Sequence, residues 1–450
     1  MSDYNITDFG AIADGKTLNT SAVQAAIDKC HFSGGGTVVF PDGVFVLSTV
    51  FLKSNVHIGL SENTLILGSL NFYDYCPDEK VNYPLYQDAS HSFFHCSMFV
   101  GIDCENISVR GKGKIDMRSV WDEQNVRDMV HRGAKCIALK ECKNVEISGI
   151  TVNNCTDLAI YFAGCENVEV SHINMRTYID GISPDNSKNV IIRDCDIETG
   201  DDGIVFKSSY TLNRLDYCKN IAVNNCKIKS RCNAIKFGTE TNGGFYDVSI
   251  ENCHIYETRI TGIAIESVDG AIIDNITVKN IEMVNVNAPI FIHIGKRMRG
   301  PKGREIGRIS NITLENVTAT GKYKPYKIIP WNYNSFKASD NLQNPHRYDG
   351  KTYYKEWQMT SNICGLKERP LENIRLKNVY LKLDGGVKEY SKNVPEEAQE
   401  YPEVYVYGRI LPAKGIYFRH IRELTLDNVK VETYRSDARA DFVFVDVKNN

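Results

Sequence analysis

No apolar run in this chain is long enough to cross a membrane. An excess of positive charge is missing too. The 53 Lys and Arg are outnumbered by 56 Asp and Glu, for a net charge of −3, so the electrostatic footprint of a nucleic-acid or anionic-membrane partner is absent. The opening residues, MSDYNITDFGAIADG, do not run from charged to apolar as a leader does. The expectation is a cytoplasmic protein, or a secreted one whose leader has been removed. No set of cysteines has the spacing of a zinc site, and 14 in 450 residues are too dilute for a disulfide scaffold. Cys104, Cys142, Cys165, Cys195, Cys218, Cys226 and Cys253 recur instead in DCEN, ECKN, GCEN, RDCDI, YCKN, NNCKI and ENCHI. These are repeat positions, and the thiols are read as buried, reduced, small hydrophobes.

What the chain does have is a period. Asn, then Ile or Val, then alternating apolar residues recurs in ENISVRGKGKI, KNVEISGITV, ENVEVSHINM, KNVIIRDCDI, KNIAVNNCKI and on to RELTLDNVKV. From KNVEISGITV to SNITLENVTA, the second to the eighth copy, successive copies are roughly 22 to 36 residues apart, within the solenoid range. Alternation gives each copy one buried face. A second short strand lies between copies: CIAL, AIYF, GISP, GIVF, AIKF, GIAI, PIFI. Two or three short strands per repeat, without a helical period between them, predict an all-β fold, a single right-handed parallel β-helix. Asn tolerates left-handed backbone at its corners. Residues 20–30 read as a short helix begun by a Thr or Ser cap, within an N-terminal cap over 1–45. Two insertions, 321–365 and 385–412, interrupt the period within one domain spanning 1–450. The first is rich in aromatics: Trp331, Tyr333, Tyr353, Tyr354 and Trp357 either stack on sugar faces or pin the loop to the coil wall.

The interstitial strands align on a small-residue-plus-Ile step: Asp180-Gly181-Ile182, Asp202-Gly203-Ile204, Asn233-Ala234-Ile235, Thr261-Gly262-Ile263. Stacking then sets Asp180 and Asp202 one rung apart with Asp201 beside them. Four positions after the glycine, the column reads Asp185, Lys207, Gly238, Glu266 and then His293, on the outer wall. Carboxylates packed this closely cannot all ionise, so at least one holds its proton. One protonated acid beside one ionised base is what glycoside cleavage needs. Turn capping or calcium binding would also place acids here.

The stretches DFGAIADGKTLNTSAVQAAIDKC and GGGTVVFPDGVF resemble the opening of pectin-degrading β-helix proteins. IDGISPDNSKNVIIRDCDIETGDDGIVFKSS is similar to the core of glycoside hydrolase family 28, the polygalacturonases, and the resemblance extends over roughly residues 5 to 320. It implies Asp180, Asp201 and Asp202 as catalytic, Asp201 as general acid and the other two activating water, with inversion. Lys207 matches a family lysine. The family's Gly-His-Gly reads Cys232-Asn233-Ala234 here, and its Arg-x-Lys reads Ala264-Ile265-Glu266. In pectin enzymes those cations grip a uronate carboxylate, which an acid at Glu266 would repel. The expected substrate is therefore a plant or microbial polysaccharide or oligosaccharide other than plain polygalacturonate, with a neutral sugar facing Glu266. The insertions favour exo action. Lys207, Asn233, Lys236, Glu240, Glu266, His293, Arg297 and Trp331 are the expected substrate contacts, and no metal or cofactor is expected. The basic stretch HIGKRMRGPKGREIG reads as a solvated turn. Two other chemistries fit the same fold: a lyase, epimerase or transglycosylase with Lys207 or Lys236 as base, or a non-catalytic carbohydrate-binding solenoid.

Overall fold

The computed structural model describes residues 2–87, 89–119, 132–323, 358–396 and 401–449. Trp331, Tyr333, Tyr353, Tyr354 and Trp357 lie outside them, as does most of 321–365. Among the described residues 33 strands join one hydrogen-bonded sheet, and every pairing between them is parallel. The fold is a right-handed parallel β-helix.

The alternation seen in the sequence becomes two surfaces. Val145, Val168, Val190, Ile221 and Val248 are register partners on successive rungs and all point into the core. The 14 cysteines are unpaired, and all except Cys76 are buried. At the corner before these strands Asn144, Asn167, Asn189 and Asn220 all have φ between 54 and 57°. Asn suits this left-handed bend because its short side chain bonds locally. The side chains also form a ladder: Asn167 donates to Asn144 at 2.9 Å, Asn189 to Asn167 at 3.0 Å and Asn220 to Asn189 at 2.8 Å.

The helix is longer than expected, Thr20–Phe32, and buries Val23, Ala26, Ile27 and Cys30 over the first coils. Its N-cap is Asn19, not Thr or Ser, and makes no capping bond. Asn19 Oδ1 takes the Ile12 N–H at 2.7 Å, and the Thr20 hydroxyl is spent on Ser48 at 2.8 Å.

Asn189→Ala removes two ladder bonds and forces an alanine to φ 55°. A loss of about 2 kcal/mol is expected in chemical denaturation. Asn189→Gly keeps the bend and is expected to lose roughly half of that.

Candidate active site

The strands Ile182–Asp185, Ile204–Ser208, Asn233–Thr241, Thr261–Ser267 and Ala288–Ile294 are consecutive rungs of one wall. Ile182, Ile204, Ile235, Ile263 and Ile290 are in register along it. The two-residue offset puts Asp180, Asp202, Asn233 and Thr261 in a column, with Asp201 beside Asp202. The glycines after the acids are there for close approach. A Cβ on Gly181 would stand 2.5 Å from the Gly203 carbonyl, and one on Gly203 2.6 Å from that of Ala234.

The acids are not on an open surface, as stacking alone suggested. Asp180 and Asp202 are each only 5% exposed, and Asp201 is half-buried. Asp180 Oδ1 accepts the Asp202 N–H at 3.2 Å. Asp202 Oδ1 accepts both the backbone N–H of Asn233, at 3.1 Å, and its side-chain amide, at 2.8 Å. The hydroxyls of Thr199 and Ser230 each donate to the Asp201 carbonyl at 2.7 Å, fixing that turn. Burial, and then the charges of Asp201 and Asp202, push the Asp180 carboxyl well above the usual carboxylate range. The Asp201 and Asp202 carboxylates and the Cys232 thiol lie within 4.8 Å of one another, close enough to share a metal ion. An inverting pair usually keeps its carboxyls about 6.5–9.5 Å apart, so spacing within this pair does not prescribe inversion.

Basic groups surround the acids, each already engaged. Lys207 Nζ meets Glu240 Oε2 at 2.8 Å, and Arg299 holds the other Glu240 oxygen. This pair exists because the register slips: Asn233–Thr241 fits Gly238, Thr239 and Glu240 opposite Lys207 alone. Lys236 Nζ stands 3.0 Å from Glu403, 3.7 Å from Glu266 and 3.8 Å from Asp202. Burial works against both ammonium charges. Glu240 and Asp180 outweigh it at Lys207, and Glu266, Glu403 and Asp202 at Lys236, so both lysines stay above their ordinary range. Arg297 clasps Asp269 with Nε at 3.0 Å and Nη2 at 2.5 Å. Arg304 donates to the Gly270 carbonyl at 2.8 Å. The basic stretch is thus an anchored loop and not a solvated turn.

Two walls bound the acids. On the N-terminal side Phe94 packs with Leu158, Tyr161, Tyr178 and Ile179. There Tyr161 donates to the His91 carbonyl at 2.9 Å. On the C-terminal side the insertion lays Val404, Val406, Tyr407 and Leu411 on Ala264, Phe291 and Tyr417. Asn362 ties it down through the Val404 carbonyl at 2.9 Å. The column from Asp180 to Asn233, about 10 Å from first rung to last, meets the Phe94 cluster at one end through Tyr178 and Ile179 and the insertion's cluster at the other through Cys232.

Of the expected substrate contacts, Lys207, Asn233, Lys236, Glu240 and Glu266 gather around the acids, and Arg297 reaches over Tyr401, its guanidinium 5.9 Å from the ring. Glu266 and Glu240 are buried and not on a groove surface. His293 is a packing residue: it stacks on Phe291, meets the Tyr407 hydroxyl at 2.9 Å, and is held neutral by burial, its pKa lowered to about 3. It makes no part of a substrate surface. Trp331 lies outside the described residues. The sequence offered no sign of Glu403, Tyr401 or His91 at the site. The nearest signal is the alternating YPEVYVYG in an otherwise polar insertion.

The profile of glycosyl hydrolases family 28 matches residues 38–340, two thirds of the chain. The chain belongs to glycosyl hydrolase family 28. A second profile, rhamnogalacturonase A/epimerase, pectate lyase-like, matches residues 4–69. An exo-poly-α-D-galacturonosidase of Dickeya chrysanthemi is 27% identical over 299 residues, 55% of this chain and 49% of that one. The chain thus spans about half the length of the curated relatives it matches. Two solved family folds superpose well. The family 28 exopolygalacturonase of Yersinia enterocolitica has TM-score 0.69 and 22% identity, over 99% of this chain and 78% of that one. The exopolygalacturonase of Thermotoga maritima has TM-score 0.66 and 20% identity, over 85% and 87%.

In this family 28 member burial raises the Glu266 carboxyl well above its usual range. Lys236 opposes the shift, and Glu403 and Asp202 add to it. The unfolded chain therefore ionises Glu266 near the ordinary glutamate value of 4.5, while folding shifts its ionisation to higher pH. Its stabilising contribution is full below that pH and is lost as pH rises toward the folded value. Glu266→Gln, which mimics the protonated form, is expected to gain Tm relative to the parent as pH is raised from 4 to 8. A pH series of melting curves on both proteins measures this.

Proposed function

We propose that the protein is a glycoside hydrolase that removes sugars from the end of a plant or microbial polysaccharide, or of its oligomers, with inversion. The observation carrying the hydrolase reading is the set of three carboxylates on adjoining rungs; inversion is what the family resemblance implies. A floor of about 10 Å suits the end of a chain better than its middle.

Each residue has a distinct task. Asp201, the most open of the three, delivers its proton to the glycosidic oxygen as the bond to the anomeric carbon breaks. Asp202, its Oδ1 fixed by two N–H donors from Asn233, takes a proton from the attacking water. Asp180 seats that water one rung away. The carboxylates share their protons as a group, and the cluster regains its starting charge once Asp202 passes a proton back. Lyase chemistry fits less well: Lys207 and Lys236 are held as ammonium ions by their carboxylate neighbours, and a base must be unprotonated.

The sugar bound beside this rung is one without a carboxylate. The family's cation pair is replaced by Ala264 and Glu266, and Lys236, the register partner of Ala264, is already shared among three acids. Glu266 is fully buried and both its oxygens lack a hydrogen-bond partner among the described residues, so this position offers a uronate no cation. Tyr401, half exposed beneath Lys236 and Arg297, offers a ring for stacking.

Asp201→Asn is expected to lower kcat by about 10²–10⁴-fold on whichever member of a neutral and acidic oligosaccharide panel the parent cleaves, with an unchanged melting curve. Turnover by the parent is expected to survive EDTA. Proton NMR of the first product is expected to show the opposite anomer to the substrate. Full activity in Asp201→Asn, or loss with EDTA and an unsaturated product, would end this proposal.

A further inference from the structure

The insertion over 385–412 brings a carboxylate of the protein's own into the site. Glu403 is fully buried. Its Oε1 meets Lys236 Nζ at 3.0 Å, and its Oε2 accepts the Asn233 side-chain amide at 3.3 Å. The segment that delivers it is anchored. The Glu403 carbonyl accepts the Val406 N–H at 2.8 Å, Asn362 donates to the Val404 carbonyl at 2.9 Å, and Val404 packs with Ala264 and Phe291. Ala264, the register partner of Lys236, is small enough for the insertion to lie over that rung.

We propose that Glu403 determines the substrate class: its carboxylate fills the seat between Lys236 and Asn233 that the carboxylate of an acidic sugar would otherwise take, and so turns such sugars away. This rests on the hydrolase reading above and names the residue that enforces its choice of sugar.

The charges around the seat carry the argument. A second carboxylate entering beside Glu403 meets a like charge out of reach of water, which is strongly unfavourable. Lys236 cannot compensate, because it also faces Asp202 at 3.8 Å and Glu266 at 3.7 Å. The Asn233 amide is shared with Asp202 Oδ1 at 2.8 Å. The other cations near the acids have partners of their own: Lys207 and Arg299 meet Glu240, and Arg297 clasps Asp269. Glu403→Ala removes the like charge and opens a space of carboxylate size against Lys236 and Asn233. A neutral sugar gains nothing from that change in charge. The specificity therefore lies in a difference between two affinities, and a residue that merely held the insertion in place would move both together.

The test is calorimetric titration, at neutral pH and low salt, of a galacturonate trisaccharide and its galactose counterpart. The proteins are the full-length chain, Glu403→Ala and the double variant Glu403→Ala with Lys236→Met, each also carrying Asp201→Asn to prevent turnover. Glu403→Ala is expected to bind the galacturonate trisaccharide at least about tenfold more tightly than the chain with Glu403 does, with a smaller change for galactose. The double variant is expected to lose that gain, because the ammonium that receives the sugar carboxylate is gone. No gain in Glu403→Ala, an equal gain for both sugars, or a gain that survives loss of Lys236 overturns the proposal. Should Glu403→Ala fail to fold, the chain with Glu403 decides: weaker binding of galacturonate than of galactose supports the proposal, and any other result overturns it. These are binding constants, so turnover by the active parent judges the hydrolase reading separately.

Discussion

Strands in a parallel sheet stand about 4.8 Å apart, and that pitch governs nearly everything this protein does. Each coil is too short to bury its own apolar face, so it borrows its core from the coils on either side. The register that lets Ile182, Ile204, Ile235 and Ile263 coincide also sets Asp180, Asp202 and Asn233 in a column. The spacing of the acids is therefore a by-product of hydrogen bonding between rungs. The cost is like charges held close together in a buried place, visible in the raised Asp180 carboxyl.

The electrostatics divide into two kinds. Lys207 with Glu240, and Arg297 with Asp269, are close and well hydrogen-bonded pairs. Such pairs tolerate burial because each charge is matched. Around Lys236 the match is incomplete: one ammonium serves three carboxylates, and Glu266 is left without hydrogen bonds among the described residues. Unsatisfied buried groups of this kind are uncommon in a core without purpose, and here they border the cluster of Asp180, Asp201 and Asp202.

Much of this was legible in the sequence because the repeat carries its own alignment. The Gly-Ile step after Asp180 and Asp202 continues as Ala234-Ile235 and Gly262-Ile263 in the next two rungs, so the column was readable without coordinates. Register fails as a guide where it slips. Nothing local shows that Gly238 to Glu240 face Lys207 alone, and His293 read as a groove residue because its packing under Tyr407 depends on a distant insertion. Glu403 was invisible for the same reason: alternation reports which face a residue takes within its coil, not which loop folds over it. The helix cap was misplaced because Thr20 and Asn19 have partners in other elements.

Removal of sugars from a chain end is the central proposal, and its most direct test is a time course of products, by mass, from a size series of defined oligosaccharides that the protein cleaves. Release of one end unit at a time from every length, at a rate that barely depends on length, is the predicted result. Early appearance of mid-chain fragments would contradict it.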